Sequence, residues 1–382
     1  MRLATLKLQN FRNHHHSWFE FGAGANVLLG DNGQGKTNVI EAISYLCLTK
    51  SFYASTDAIV LSFEQSMFEV EGTLLSDRGV ESRVRVAYDS QVPRKAYFIN
   101  KRSTEPFSSV IGKFPVVVCS PEHAPITMGS PNERRRFTDL VISQSSESYF
   151  KILLEYRHVL KQRNKILFDG KVNGSNGSAI LEPWNEQLVT LGAMLTDRRK
   201  RFVQEFASFV RFAYGNLVEG QEDPSIEYLP AVPVEQASTE AELQDVIRRA
   251  LGQKAMEERR VGTTLVGPHR DEYGCRINGL DLRKYASQGQ HKTFLVALKL
   301  AEFFFLKERC NETPLLLLDD VFSELDEHRA EKLLNFVGNI SQTFITSTAL
   351  QPVEKVIDFD ERSKKFFIAN GNVVQQNTVA VS

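Results

Sequence analysis

Eight consecutive residues near the start of the chain combine glycines, a lysine and a threonine at a spacing that can hold phosphate groups. They are Gly30, Asp31, Asn32, Gly33, Gln34, Gly35, Lys36 and Thr37, which form the pattern G-x-x-x-x-G-K-[ST]. The glycines let backbone N–H groups turn toward an anion, and the following helix adds the positive end of its dipole. We expect Lys36 to reach the β- and γ-phosphates of ATP and take part in catalysis, and the Thr37 hydroxyl to bind Mg²⁺.

The residues on either side of this loop predict the strand and the helix that such a loop needs. A short apolar run over residues 26–29 precedes it, and Val39, Ile43 and Leu46 lie on one face of the helical pattern that follows. A glycine turn with a surface lysine is the alternative interpretation. The flanking strand and helix favour a phosphate-binding loop.

Two aspartates follow the apolar run Leu315–Leu318, which is typical of a buried parallel strand. A carboxylate at the end of such a strand can hold Mg²⁺ opposite a phosphate loop. We therefore expect Asp319 to be the metal partner and Asp320 to be the base that polarises the attacking water. A strand followed by an acidic turn is common, but the phosphate loop upstream favours the functional interpretation.

Ser287 and Gly289 precede a helix predicted over residues 290–307. A hydroxyl and free backbone N–H groups at a helix N-terminus form an anion site, and we assign Ser287 a catalytic role there. One chain does not need two helix ends at one γ-phosphate, whereas two chains that share ATP do. The alternative is an ordinary N-cap serine with a glycine turn.

Composition excludes several classes of protein. The net charge of 382 residues is −1 and the isoelectric point about 6.7, so DNA binding would need a local basic patch or one created by assembly. The four cysteines are far apart, and His14-His15-His16 is interpreted as a solvated or packed run rather than a metal site. No signal peptide or bilayer-length apolar run is present, so we expect a cytoplasmic protein without membrane contact.

The pattern along the chain predicts two domains. Residues 1–120 and 261–382 show mixed α/β character, whereas residues 121–260 are mainly helical, with a Gly/Ser-rich break over 173–178. We therefore predict an α/β head that is interrupted by a helical lobe.

The motifs together resemble a known family. Ser287-Gln-Gly-Gln resembles the signature motif of ABC-type ATPases, and residues 319–326 (D-D-V-F-S-E-L-D) resemble their Walker B motif and D-loop. More specifically, the chain is similar to the RecF family of bacterial recombination-repair ATPases, which are related to the heads of SMC proteins. The matching segments span nearly the whole chain: residues 10–13, 30–38, 130–136, 162–164, 267–271 and 287–293. His291-Lys292 departs from the glutamine and arginine that are commoner in the family.

This resemblance implies a fold, an activity and partners. The fold would be an ABC-type P-loop ATPase head, with a mixed β-sheet and an antiparallel β-subdomain, carrying an inserted helical lobe. The activity would be ATP-gated dimerisation on DNA gaps or single-strand/duplex junctions, with RecR and RecO helping to load RecA. Arg12 and Asn38 would also contact the nucleotide. Thr346-Ser347-Thr348 stands where many ABC proteins have histidine, and residue 320 is Asp rather than Glu, which together fit slow hydrolysis. The enzyme implied is a weak, DNA-stimulated ATPase.

Basic runs on the predicted helical lobe are candidates for DNA contact. The candidates are Arg134, Arg135, Arg198, Arg199, Lys200 and Arg201, with a further run over residues 157–165. A solvated helix face is the default interpretation of such runs, but a dimer would bring two copies together. The ATPase subunit of a transporter and a P-loop kinase are the alternative functions. The first needs membrane partners, and the second has no use for the serine–glycine motif.

Overall fold

A computed structural model describes residues 1–173, 178–234, 237, 239–338, 340–349 and 351–376. Residues 174–177 of the predicted Gly/Ser-rich break lie outside the described residues. In chain order the strands are β1 (Arg2–Phe11), β2 (His14–Glu20), β3 (Ala25–Leu29), β4 (Met67–Leu75), β5 (Glu81–Asp89), β6 (Arg94–Ile99), β7 (Arg102–Ser103), β8 (Val116–Cys119), β9 (Pro224–Leu229), β10 (Glu272–Ile277), β11 (Leu280–Asp281), β12 (Leu315–Leu318), β13 (Thr343–Ser347), β14 (Lys364–Ala369) and β15 (Asn372–Gln376). The helices are α1 (Lys36–Leu48), α2 (Pro125–Met128), α3 (Pro131–Ser145), α4 (Glu147–Asn173), α5 (Ser178–Leu217), α6 (Glu240–Val261), α7 (Leu282–Tyr285), α8 (Gln288–Arg309), α9 (Glu327–Val337) and α10 (Gln351–Glu354).

The chain divides into two compact units. The first comprises Met1–Ala124, Phe212–Glu222 and Ala286–Ser382, and the second comprises Pro125–Arg211 and Asp223–Tyr285. β10, which the predicted boundaries assign to the head, pairs with β9 in the second unit. The predicted division at residues 120/121 and 260/261 stays a prediction.

The first unit contains an antiparallel sheet in the order β2-β1-β4-β5-β6-β7. Alternate residues of β4 and β5 are buried, with Val70, Val84 and Val86 fully enclosed, so one face of the sheet forms core. Helix α1 packs against β1, β4 and β5. Gly72 permits this close approach, because a Cβ there would lie 2.6 Å from Leu46 Cδ1.

The second sheet of this unit is mostly parallel and has the order β15-β14-β3-β13-β12-β8. Its β14–β15 hairpin is antiparallel. Every residue of the central strands β3 and β12 is buried, as expected for parallel strands covered on both faces, and so is every residue of the edge strand β8.

The second unit is mainly helical and includes a small antiparallel sheet in the order β11-β10-β9. Helix α3 packs against α4 and β10, and α4 packs against α6. Within the described residues, no helix is both long and apolar enough to span a membrane.

Candidate nucleotide site

Three chain segments meet at one edge of the parallel sheet. β13 lies between β3 and β12 and runs parallel to both. The carboxyl ends of parallel strands lie at the same edge, where ligands bind in α/β sheets. The phosphate loop after β3, Thr346 near the end of β13 and the aspartates after β12 therefore come together.

The glycines of the phosphate loop adopt backbone angles that other residues disfavour. Gly35 caps α1 with a φ of 110°, and a Cβ there would lie 2.6 Å from Asn13 Oδ1. Gly30 has a φ of 149°, and a Cβ there would lie 2.3 Å from the carbonyl oxygen of Ile368. Helix α1 begins at Lys36 and has no acidic residue in its own first turn, so no carboxylate of that turn offsets its positive end.

The Lys36 ammonium group lies inside the curve of this loop. It donates hydrogen bonds to the carbonyl oxygens of Gly30 at 2.6 Å and Asp31 at 2.7 Å. Burial lowers the pKa of Lys36, while the charges of Asp320 and Asp319 act in the opposite direction. A phosphate oxygen entering the loop would find this donor already at its centre.

Asp319 is the meeting point of the three segments. Its Oδ1 accepts hydrogen bonds from Thr37 Oγ1 and from Thr346 Oγ1, each at 2.9 Å. Asp319 is 5% exposed, and burial raises the pKa of its carboxyl group, while the bonds from Thr37 and Thr346 lower it. A hydroxyl and a carboxylate side by side are the oxygen ligands that Mg²⁺ accepts, so these residues fit the predicted ion.

Asp320 is exposed beside this buried carboxylate. Its backbone has a φ of 50°, in the left-handed region, and its N–H donates to Thr346 Oγ1 at 2.8 Å. Thr346 thus bridges the two aspartates, because its hydroxyl accepts from one and donates to the other. Asp320 is an exposed carboxylate whose charge acts on Lys36 of the phosphate loop, which suits the predicted role as base.

Ser287 is the N-cap of α8, whose observed start at Gln288 is two residues before the predicted one. Ser287 Oγ accepts from Gln290 N at 3.2 Å, and Gln290 Oε1 accepts from Ser287 N at 2.9 Å, which makes a capping box. The serine is therefore an N-cap within its own chain, and it is also exposed. Its predicted contact with a γ-phosphate stays a prediction, as does that of Gly289.

The D-loop region is tied to the start of α8. Asp326 caps α9 by accepting from Arg329 N at 3.0 Å. Arg329 Nη1 donates to Thr293 Oγ1 at 2.9 Å, and Thr293 Oγ1 donates to the Gly289 carbonyl at 2.8 Å. A movement of helix α9 would therefore be transmitted through Arg329 and Thr293 to the signature motif at the start of α8.

Arg12 and Asn38, the two contacts implied by the resemblance, lie beside the loop. Arg12 forms a two-pronged ion pair with the buried Glu41 of α1, at 2.8 Å for each bond, and also donates to the Ile59 carbonyl. Asn38 Nδ2 donates to Asn13 Oδ1 at 2.7 Å. Arg12 therefore ties the end of β1 to α1, and Asn38 ties α1 to Asn13. Direct contact of either side chain with nucleotide stays a prediction.

The sequence reasoning missed His14 as a support of the loop. This residue is fully buried, its Nε2 lies 3.0 Å from the Gly35 carbonyl, and its Nδ1 lies 2.9 Å from Ser17 Oγ. Burial lowers the pKa of His14. His15 and His16 are exposed, and no cluster of three metal-ligating side chains occurs among the described residues. A single histidine in a run of three gives no sequence signal for this role.

The turn of the β14–β15 hairpin also holds the loop. Gly371 N donates to the Gln34 carbonyl at 3.0 Å, and Asn370 N donates to Gln34 Oε1 at 2.6 Å. Ser17 Oγ donates to the Gly371 carbonyl at 2.9 Å. Gln34, a variable position of the motif, is therefore the point at which the hairpin grips the loop.

Burial within the second unit contradicts two of the predicted DNA contacts. Arg134 is 4% exposed and pairs with Glu272, and Arg199 is 2% exposed and pairs with Asp139 and Asp271. Both guanidinium groups are committed to carboxylates inside the unit. They are structural cations and are not available to DNA.

The other basic candidates are more accessible. Arg135 is half-buried and donates to the Asp271 carbonyl, Arg198 donates to Ser148 Oγ, and Arg201 is exposed and pairs with Asp197. On α4, Arg157, Lys161 and Lys165 are exposed at four-residue spacing and so lie on one helix face.

Comparisons with known proteins identify the family of this chain. The family model described as the RecF/RecN/SMC N terminal domain matches residues 2–372. The DNA replication and repair protein RecF of Chloroherpeton thalassium is 45% identical over 91% of this chain and 95% of its own length. The chain belongs to the RecF family.

Solved structures of RecF proteins have the same fold. The recombination mediator protein RecF-ATPrS in the RecFOR pathway superposes with a TM-score of 0.90 at 31% identity, covering 99% of this chain and 98% of that one. The RecF-ATP form gives 0.88 at 31% identity, over 98% and 99% of the two chains. The predicted RecF resemblance and the predicted α/β ABC-type ATPase-head fold are confirmed.

Proposed function

We propose that this RecF-family chain binds ATP with Mg²⁺ and uses it to close a homodimer on DNA during recombinational repair and replication restart. The observation that carries this proposal is the convergence of Lys36, Thr37 and Asp319 at one sheet edge, with the Thr37–Asp319 bond at 2.9 Å. RecF relatives that are named with ATP support the nucleotide assignment. When bound, Mg²⁺ would neutralise phosphate charge, and Thr37 and Asp319 would hold it.

We expect a dimer because one chain carries two helix N-termini that are suited to the phosphates of ATP. The phosphate loop supplies one helix N-terminus, and Ser287 supplies another that is exposed and capped only by its own helix. Two chains arranged head to head would each contribute one half to a shared ATP. Because a ligand that binds only the closed state stabilises it, ATP would drive dimerisation and hydrolysis at Asp320 would release it. Slow, DNA-stimulated turnover is the expected activity.

Light scattering on the wild-type protein tests this proposal. We expect a mass near that of a monomer without nucleotide or with ADP, and twice that mass with a slowly hydrolysed ATP analogue and Mg²⁺. Lys36→Ala should lose nucleotide affinity and dimerisation together, whereas the exposed Lys307→Ala is a matched control that should retain both. Dimerisation that survives in Lys36→Ala would break the proposed coupling.

The DNA contact is proposed for exposed and partly exposed cations of the second unit. The α4 face with Arg157, Lys161 and Lys165 is the primary candidate, and Arg135, Arg198, Lys200 and Arg201 are secondary. We expect binding to weaken with salt, because each phosphate contact releases counterions. Gel-shift titrations on gapped, single-stranded and duplex DNA, with and without ATP, would test the preference for gaps and junctions.

A charge-removal series would locate the surface. Arg157→Gln/Lys161→Gln should weaken binding and reduce the salt slope by about 2, since each lost phosphate contact removes about one. Arg248→Gln/Arg249→Gln on α6 is the control pair. An unchanged slope would exclude the α4 face.

Cooperation with RecR and RecO in loading RecA, in the cytoplasm, completes the proposal. It is supported by family membership and by the naming of RecF relatives with the RecFOR pathway. RecF membership also argues against the transporter and kinase alternatives. Stimulation of RecA assembly on gapped DNA by the purified protein, with RecO and RecR present, is the test.

A further inference from the structure

The signature corner, defined here as Ser287 to Gln290, is held by a side chain outside helix α8. The Gln290 side-chain amide faces in two directions: its Oε1 accepts from Ser287 N at 2.9 Å, and its Nε2 donates to Glu222 Oε1 at 2.9 Å. The amide that closes the capping box is thus oriented by Glu222. A free glutamine amide would rotate and leave the Ser287 N–H to water.

Glu222 is itself fixed by the last turn of α5. The Tyr214 hydroxyl donates to the other carboxylate oxygen, Glu222 Oε2. Tyr214 is 1% exposed, and its ring lies 6.0 Å from that of Phe294 in α8. Burial, and then the bond to Glu222, raise the pKa of Tyr214, so its hydroxyl keeps the proton that it donates. Both oxygens of Glu222 are therefore engaged, one by α5 and one by the signature corner.

Neighbouring contacts do not duplicate this tie. Arg329 reaches Thr293 and the Gly289 carbonyl, which fixes the backbone of α8 but not the cap amide. Glu219, in the same segment as Glu222, pairs with Lys332 at 2.8 Å and is 74% exposed. These two glutamates therefore offer a matched comparison, since Glu222 contacts Gln290 and Glu219 contacts α9.

We propose that Glu222 is a positioning residue that sets the orientation of Ser287 at the signature corner. It acts through Gln290 and does not touch nucleotide. The consequence for catalysis rests on the proposed function, because it matters only if this corner meets ATP on a second chain. The orientation itself does not depend on that, and it can be measured in the monomer.

Hydrogen exchange on the nucleotide-free protein tests the positioning step. In Glu222→Ala, we expect the amides of residues 287–290 to exchange about tenfold faster, since a hydrogen bond to a charged group is lost. Glu222→Gln keeps an acceptor for Gln290 and should stay within about threefold of wild type. Glu219→Ala should match wild type. Equal exchange in Glu222→Ala and Glu219→Ala would overturn the proposal, as would faster exchange throughout the first unit.

A reciprocal exchange of the two side chains sharpens the test. Gln290→Glu alone places two carboxylates together and should loosen the corner. Glu222→Gln/Gln290→Glu restores one donor and one acceptor, and the carboxylate introduced at position 290 can still accept from Ser287 N. Recovery of slow exchange in the double variant is expected. If exchange in the double variant were accelerated by the sum of the two single effects, that result would contradict a direct contact between the side chains at 222 and 290.

Dimerisation and turnover then separate this inference from the proposed function. Glu222→Ala should bind ATP in the monomer as wild type does, dimerise at about tenfold higher concentration and lose about tenfold in kcat, with rescue by Glu222→Gln. If wild type itself fails to dimerise with ATP, the proposed function fails, while the exchange data still decide the role of Glu222. Weakened ATP binding to the Glu222→Ala monomer would indicate a merely structural role.

Discussion

The hydroxyl of Thr37 donates a hydrogen bond of 2.9 Å to Asp319 Oδ1, although 282 residues separate the two in the sequence. The same oxygen accepts from Thr346, which also receives the backbone N–H of Asp320. The proposed metal-binding pair and the candidate base are therefore aligned by one hydroxyl on the strand between them. Thr346 thus holds both aspartates through hydrogen bonds within the chain.

Removal of the Thr346 hydroxyl should disturb both aspartates at once. Thr346→Val keeps the side-chain volume but leaves the Asp320 N–H without its acceptor and Asp319 with one donor fewer. We expect a loss of about 1–3 kcal/mol in the free energy of unfolding, and a larger drop in kcat than in ATP affinity. Thr346→Ser retains the hydroxyl and is the control. A Thr346→Val enzyme with normal turnover would show that the bridge is dispensable.

Asp320→Asn should separate ATP binding from release. The amide keeps the shape of the carboxylate but cannot accept a proton from water, so the ATP-bound dimer should accumulate. Size-exclusion chromatography with light scattering in excess ATP and Mg²⁺ would measure its lifetime. Rapid dissociation under these conditions would argue that another group is the base.

Arg199→Ala should unfold the second unit rather than weaken DNA contact alone. The substitution leaves the buried carboxylates of Asp139 and Asp271 without their shared cation, which costs about 3–5 kcal/mol. Arg201→Ala removes an exposed partner of Asp197 and should cost less than about 1 kcal/mol. Thermal unfolding of the two variants gives the comparison. Wild-type stability in Arg199→Ala, with reduced DNA affinity, would restore this arginine as a DNA contact.

Because His269 is buried, we expect the free energy of unfolding to fall in acid. Burial, aided by Arg270, Arg135 and Arg163, lowers its pKa to about 4 from the usual 6.5. Between pH 6.5 and pH 4, His269 is therefore protonated in the unfolded chain but neutral in the folded protein. The free energy of unfolding falls as the pH drops through this range. The expected loss is about 2 kcal/mol between pH 7.5 and pH 5.

The variant His269→Gln isolates this contribution. Glutamine can still donate to the Thr264 carbonyl, which lies 3.2 Å from His269 Nε2, but it does not titrate. The melting temperatures of wild type and variant should therefore converge as the pH falls from 7.5 to 5. Parallel pH curves for the two proteins would show that His269 titrates normally.

The parts of the site that could be predicted are those whose chemistry lies in consecutive residues. The loop from Gly30 to Thr37 and the pair Asp319-Asp320 carry both their residue types and their local structure in one stretch. The roles of His14 and Glu222, and the contact of the hairpin turn with Gln34, could not be found in this way, because each depends on a contact with a distant segment. Their residue types are common, and only the folded chain shows what they touch.

The basic runs show the opposite error, because the sequence suggested DNA contacts at residues that the fold buries. Consecutive helical residues are turned by about 100°, so four in a row sweep most of the helix circumference. The run Arg198 to Arg201 therefore cannot face solvent as a whole, and Arg199 is the member that turns inward. The same reasoning applies to Arg134 in α3. In a basic run on a helix only some residues can face solvent together, and a basic stripe needs cations that are three or four residues apart.

The grip of Asn370 and Gly371 on Gln34 has a practical consequence. Removal of the last dozen residues would delete Gly371, and with it the turn that supports the phosphate loop, as well as the edge strand β15. The affinity for nucleotide would then fall although every residue of the phosphate loop was intact. Fusion partners joined close to residue 371 carry the same risk, so tags for biochemical work are better separated from the hairpin by a generous spacer.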